Sequence, residues 1–219
     1  MATKGTKEQI VTVKPMNVKH AIVCIEGDSD LVLNRMNASN TRQLIADDRK
    51  AQGLWESQHR NKWEDIISAI HWRDGIPCED TNSECTEQMF YEMLDKNAPC
   101  ISAFGLKKSW GQAVVRAEMD KYATKFDASV NVVATGGLVP VRFAEWKLDE
   151  RLMSPKRGAP VTVRLNHFLG WSAEIPVQYT ENAYSLNEIA TVINVAGFGI
   201  GIGSGRTSGY GRYHIVDIK

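Results

Sequence analysis

The sequence predicts an α+β fold in which strands alternate with two main helices. Three observations carry that expectation. The run VKHAIVCIE, from Val18 to Glu26, is rich in β-branched residues and stops at Gly27-Asp28, as a strand does. Further alternating or β-branched runs, SVNVVAT, VPVRFAEW, VTVRLNHF and WSAEIPVQY, occupy the second half of the chain. Between the last of these and the C-terminus, Ser185 and Glu188 form S-x-x-E ahead of an apolar stretch. That spacing is a capping box, in which each side chain satisfies the other's backbone donor, so a helix starts there.

In chain order, the first element is the strand at Val18–Glu26. From Asn40 to Lys96 the texture becomes charged, with Trp63, Ile66, Ile67 and Ile70 at helical spacing, and Met89, Phe90, Met93 and Leu94 marking another helix. Residues 35–98 therefore read as a mostly helical insertion or subdomain, which splits a core made of residues 1–34 and 99–219. The stretch APCIS is short and extended. A helix follows, with Val115, Met119, Tyr122 and Phe126 expected along one face. VTVRLNHF and WSAEIPVQY, separated by Leu-Gly, read as a hairpin. The capped helix Ser185–Val195 ends near Gly197, and YGRYHIVDI is the closing strand. With the insertion and the extra strands set aside, the order is βαββαβ, a ferredoxin-like antiparallel sheet core.

Composition narrows the function classes. The 219 residues carry 26 basic and 26 acidic side chains, which argues against a uniformly basic nucleic-acid coat but leaves room for a local basic groove. No run approaches the roughly 18 apolar residues of a membrane span, and MATKGTKEQIVTVK lacks the apolar centre of a secretory signal. Cys24, Cys78, Cys85 and Cys100 form no CxxC pair, so they read as reduced small hydrophobes of a cytoplasmic protein. The six tryptophans sit mostly at core-like spacing. His20, His167 and His214 fall in strands, whereas His59 and His71 fall in the insertion, where either could serve as a general base in a processing nuclease, and no metal-ligand spacing joins them. The charged run Arg42–Arg60 reads as a solvated helix face or as a thumb-like arm touching a neighbour or nucleic acid. Lys156-Arg157 reads as a loop, with phosphate contact as the alternative.

The tail GFGIGIGSGRTSGYGRYHI concentrates glycine where the fold needs a reason for it, either positive φ or a close approach. Gly201-Ile202-Gly203, five residues, then Gly209-Tyr210-Gly211 make a double G-h-G motif between the last helix and the last strand. A dinucleotide loop is excluded, because it follows a strand and opens a helix. The motif resembles the glycine-rich loop of the RAMP superfamily, the RNA-binding subunits and processing nucleases of CRISPR systems. PCISAFGLKK, Pro99 to Lys108, is similar to the P-x-I-P-G-S-S-L-K-G segment of RAMP backbone subunits, with Ser102 and Ala103 departing from it. GDSDLVLNR, Gly27 to Arg35, resembles the aspartate-bearing loop of some of those subunits. The tail also resembles phage proteins of comparable length.

The resemblance implies an RRM- or RAMP-type sheet and a protein that binds single-stranded RNA or DNA as a repeating subunit. Glycine-rich backbone leaves amides open to phosphates, so Gly201, Gly203, Gly209 and Gly211, with Arg206 and Arg212, are expected to contact nucleic acid. Lys107 and Lys108 at a helix start are expected to add cations there. Tyr210 or Tyr213 would stack on bases across the sheet. Two other classes stay open: an RNA-processing endoribonuclease, and a phage structural or anti-defence protein with a protein partner. For catalysis the candidates are Asp28 and Asp30, against the simpler reading of an acidic turn. Neither cofactor nor metal is expected.

Overall fold

The computed structural model describes residues 16–35, 61–76, 85–153 and 161–219. The run Arg42–Arg60 with His59, Cys78, and the Lys156-Arg157 loop lie outside the described residues. The central sheet contains β1 (Val18–Gly27), β6 (Leu138–Arg142), β9 (Ser172–Thr180) and β10 (Tyr213–Ile218) in the order β10-β1-β9-β6, all antiparallel. Helix α3 (Ala103–Arg116) lies in the chain between β1 and β6, and α5 (Leu186–Gly199) between β9 and β10. In βαββαβ numbering the strand order is 4-1-3-2, which is the ferredoxin-like arrangement.

Each element follows from its residues. In β1 the alternate side chains Ala21, Val23 and Ile25 are buried, while Val18, His20 and Ile22 on the other face are exposed. Over the buried face lie Leu106, Trp110, Ala113 and Val114 of α3, together with Ile189, Val192, Ile193 and Ala196 of α5. The capping box forms as expected: Ser185 Oγ accepts from the Glu188 amide, and Glu188 accepts from the Ser185 amide at 2.7 Å. The helix following Pro99–Ser102 is shorter than expected. It stops at Arg116, Glu118 takes a φ of 54°, and a separate helix α4 (Thr124–Ser129) follows. The predicted single stripe is thus divided: Phe126 is buried against Tyr184, whereas Val115 and Tyr122 are exposed.

The expected hairpin between 161–168 and 171–179 does not form. Instead β8 (Val161–Leu169) pairs along its length with β7 (Glu145–Met153), and β2 (Leu31–Leu33) pairs with the other edge of β8, making a second, three-stranded sheet. Gly170, at φ 56°, turns the chain out of this sheet, and Trp171 then locks into the core. Its indole donates to the Ser29 carbonyl at 2.8 Å, and a Cβ on Gly27 would meet it at 2.1 Å. β9 is instead taken by β1, in a register running from Val18↔Thr180 to Glu26↔Ser172.

Within 35–98 the described residues form α1 (Lys62–Ser68), β3 (His71–Trp72) and α2 (Glu87–Lys96). Ile66, Ile67, Ile70 and Phe90 belong to the same apolar core as the sheet and its helices. Arg164 of β8 holds Asp65 of α1 at 2.9 Å, and Asn166 donates to the Ile66 carbonyl. β3 pairs with β4 (Pro99–Ser102), and β4 with β6, so the insertion extends the central sheet. β5 (Val130–Val132) also pairs with β9. Cys24 and Cys100 are free and buried, whereas Cys85 is disulfide-bonded, which corrects the expectation that all four cysteines are thiols. Nothing in the cysteine spacing signals that bond. No helix among the described residues is long and apolar enough to cross a membrane.

Candidate nucleic-acid interface

The glycine loop explains its own composition. Gly201, Gly203, Gly205, Gly209 and Gly211 all have φ between 67° and 88°, a region that disfavours a Cβ. Close approach matters as much. A Cβ on Gly211 would lie 1.9 Å from the Ile202 carbonyl oxygen, and one on Gly203 would lie 2.5 Å from that of Val32. The two G-h-G motifs clasp each other: the Ile202 amide donates to Gly211 at 3.0 Å, and the Gly211 amide donates to Asp30 at 2.8 Å. Gly201 donates to Ala196 and Ser204 to Val32. The amides of Gly201, Gly209 and Gly211 are therefore engaged within the chain, that of Gly209 with the Arg206 carbonyl at 3.2 Å, whereas Gly203 is exposed.

The acidic turn GDSD is the other half of that clasp. Ser29 Oγ donates to the Gly209 carbonyl at 2.9 Å and accepts from the Arg212 amide at 3.0 Å. Asp28 Oδ1 lies 2.7 Å from His214 Nδ1, and Asp30 Oδ2 lies 3.1 Å from His167 Nδ1. His167 is buried, with Asp149 3.7 Å from its Nε2 and the Tyr210 ring edge-on at 5.0 Å. Arg151 reaches both Asp149 and the Tyr210 hydroxyl. Each catalytic candidate is thus held by a histidine, and the described residues contain no cluster suited to a metal ion. Tyr213 does not face solvent. It is 1% exposed, its hydroxyl accepts from Trp110 Nε1 at 3.1 Å, and burial pushes its pKa up. Base stacking on Tyr213 is therefore ruled out, while Tyr210 is half-buried against His167.

Where the end of β2, the start of α3 and the glycine loop meet, they leave a groove of about 220 Å³. Its polar lining includes Arg35, His71, Ser102, Lys108, Ser204 and Arg206, and among the described residues it contains no Asp or Glu. Arg35 donates from Nε to the Ser68 carbonyl at 2.9 Å, and its Nη1 lies 3.3 Å from His71 Nδ1. A guanidinium has no acceptor, so His71 presents a lone pair at Nδ1. Burial, and then the Arg35 charge, hold the His71 pKa below its ordinary value, so the ring is neutral at pH 7. Ser102 caps α3 without a side-chain bond to its amides, which leaves the first-turn donors beside the groove for another acceptor.

Of the expected cations, Lys108 and Arg206 come together here. Lys107 does not: one position along a helix turns a side chain by about 100°, and its Nζ binds the Asp127 carbonyl and Asn131 Oδ1, each at 2.8 Å. Arg212 braces the loop from beneath, donating from Nη2 to the Arg206 carbonyl at 3.3 Å. Arg35 and His71 were not among the expected contacts. They reach the groove through the β3–β4 and β2–β8 pairings, which local spacing does not reveal. A larger cavity, about 450 Å³, lies on the open face of the central sheet. It carries Glu26, Glu174 and Asp217 against Arg142 and Lys219, and both cations pair with Glu174. The described lining of that cavity is net acidic, whereas that of the smaller groove is net cationic.

No family model and no curated protein matches the sequence. Among solved structures, the chain is similar to one in a cryo-EM structure of the type III-B Cmr-beta bound to cognate target RNA, with 11% identity and a TM-score of 0.47. The match covers 93% of this chain and 60% of that one, so the chain spans about three fifths of its neighbour's length. It is also similar to Cmr6 from Pyrococcus furiosus, at 9% identity and a TM-score of 0.39, over 92% of this chain and 100% of that one. The ferredoxin-like assignment rests on the strand order itself.

Proposed function

We propose that this chain binds single-stranded RNA, with the backbone phosphates seated in the groove at the start of α3. The observation that carries the reading is the gathering of Lys108 and Arg206, beside Arg35, around one cavity whose described lining has no carboxylate. Among the described residues the Lys108 ammonium and the Arg206 guanidinium have no ion-pair partner, so both remain available to phosphate oxygens. In this reading the chain is a repeating subunit of a ribonucleoprotein in the cytoplasm of a bacterium or a phage-infected host. Purification with and without nuclease treatment tests it. The chain carries nucleic acid that ribonuclease removes, and Lys108→Ala/Arg206→Ala carries much less. Equal loads on both proteins, or none on either, contradict the proposal. Stepwise growth of light scattering on longer strands tests the repeating subunit, and a strict one-to-one complex on long strands opposes it.

One observation favours a second reading, RNA cleavage. His71 lines the groove as a neutral imidazole, the state a general base requires. Our account expects binding without cutting, with or without magnesium, because the described lining of the groove offers no carboxylate and no second histidine beside His71. Denaturing gels decide: cleavage lost in His71→Ala, Asp28→Ala or Asp30→Ala promotes the nuclease reading.

A further inference from the structure

Phe104, the second residue of α3, is 75% exposed. The helix is anchored without it, through Leu106, Trp110, Ala113 and Val114, all fully buried. Residues four apart on a helix lie on one stripe, with Cβ atoms about 5–6 Å apart, so Phe104 stands directly beside Lys108 on the outer surface. Its neighbour Gly105 lines the groove, and a Cβ built on Gly105 would have only Ser102 Cβ nearby, at 3.9 Å. The groove wall next to Phe104 is therefore open. Lys108 and Arg206 make the surroundings of the ring cationic, which selects an anionic occupant with an apolar, flat part rather than an apolar peptide.

We infer that Phe104 is the stacking platform for the base of a nucleotide whose phosphate occupies the groove between Lys108 and Arg206. The inference rests on the groove reading above and adds the contact that makes the site prefer unpaired strands. A base has to leave its helix to lie on a side-chain ring, whereas a phosphate can be met in a duplex as well. Phe104 takes the role the sequence suggested for Tyr210 or Tyr213, of which Tyr213 is absorbed by the core and Tyr210 packs against His167.

The test uses fluorescence anisotropy at fixed salt, with a labelled oligouridylate and an abasic ribose-phosphate strand of the same length. The intact chain prefers the base-bearing strand by about 5- to 150-fold, the range that removal of one stacking ring covers. Phe104→Ala removes that preference without weakening the abasic complex, Phe104→Leu loses most of it, and Phe104→Trp keeps it. Lys108→Ala/Arg206→Ala weakens both strands alike. Unchanged preference in Phe104→Ala, with both strands weakened in the lysine–arginine variant, overturns the stacking inference and leaves the groove standing. No weakening in either variant overturns both. If Phe104→Ala alters only self-association in sedimentation, the ring is a subunit contact and the stacking inference fails.

Discussion

Gly211→Ala tests why the tail holds so many glycines. At this position the backbone has a φ of 69°, and a Cβ would lie 1.9 Å from the Ile202 carbonyl oxygen, a rigid backbone atom. A left-handed conformation costs a residue bearing a Cβ about 1–2 kcal/mol. Relief of the collision pulls apart the Ile202–Gly211 bond at 3.0 Å and the Gly211–Asp30 bond at 2.8 Å, each worth about 0.5–1.5 kcal/mol. The sum is about 2–5 kcal/mol, a large share of the roughly 5–15 kcal/mol that holds a domain folded. Gly209 is the internal control. Its φ is 88°, but nothing lies within 4 Å of a Cβ built there, so Gly209→Ala costs about 1–2 kcal/mol from conformation alone. Urea unfolding read by tryptophan fluorescence compares the two, through the midpoint at an unchanged slope. A Gly211→Ala cost within about 1 kcal/mol of the Gly209→Ala cost would refute the argument that the paired motifs exist for close backbone contact.

Two further outcomes follow from single side chains. Lys107→Ala lowers stability by about 0.5–1 kcal/mol, because its ammonium ties α3 to α4 and β5, and it leaves RNA affinity unchanged; a loss of affinity equal to that of Lys108→Ala would contradict the placement of Lys107. His71 titrates below its ordinary value of 6.5 in the free protein, measurable by NMR. In the window below about pH 6.5 the folded state then binds fewer protons than the unfolded chain, so stability falls as pH drops through it. His71→Gln removes that part of the pH dependence, and bound RNA shifts the His71 midpoint upward because a phosphate favours the imidazolium.

Much of the fold was legible because it is written locally. Val18–Glu26 shows its β-branched run, and Ser185 and Glu188 show their cap, since both signals act within one turn or one strand. The division of α3 from α4 was not legible, because the apolar spacing from Val115 to Phe126 continues across a break that Glu118 makes in the backbone. Nor was the partner of β8, because Leu-Gly signals a turn without saying which sheet the chain enters next. The proposed groove mixes residues that stood out locally with residues that did not. Lys108 and Arg206 stood at a helix start and in a glycine loop, whereas Arg35 and His71 arrive by strand register from far along the chain. Lys107 was misjudged for a physical reason: adjacent helix positions point in different directions. The glycines were singled out for contact with nucleic acid, and what several of them meet closely is the chain's own backbone.

The central claim is that phosphate binds between α3 and the glycine loop. The most direct measurement is the affinity of the intact chain and of Lys108→Ala/Arg206→Ala for a single-stranded oligoribonucleotide over a series of salt concentrations. Each lost phosphate contact on a single strand lowers the slope of log K against log salt by about 0.7. The account predicts a double variant that folds, binds more weakly at every salt concentration, and has a slope shallower by about 1.4. A folded variant with the affinity and slope of the intact chain would contradict it.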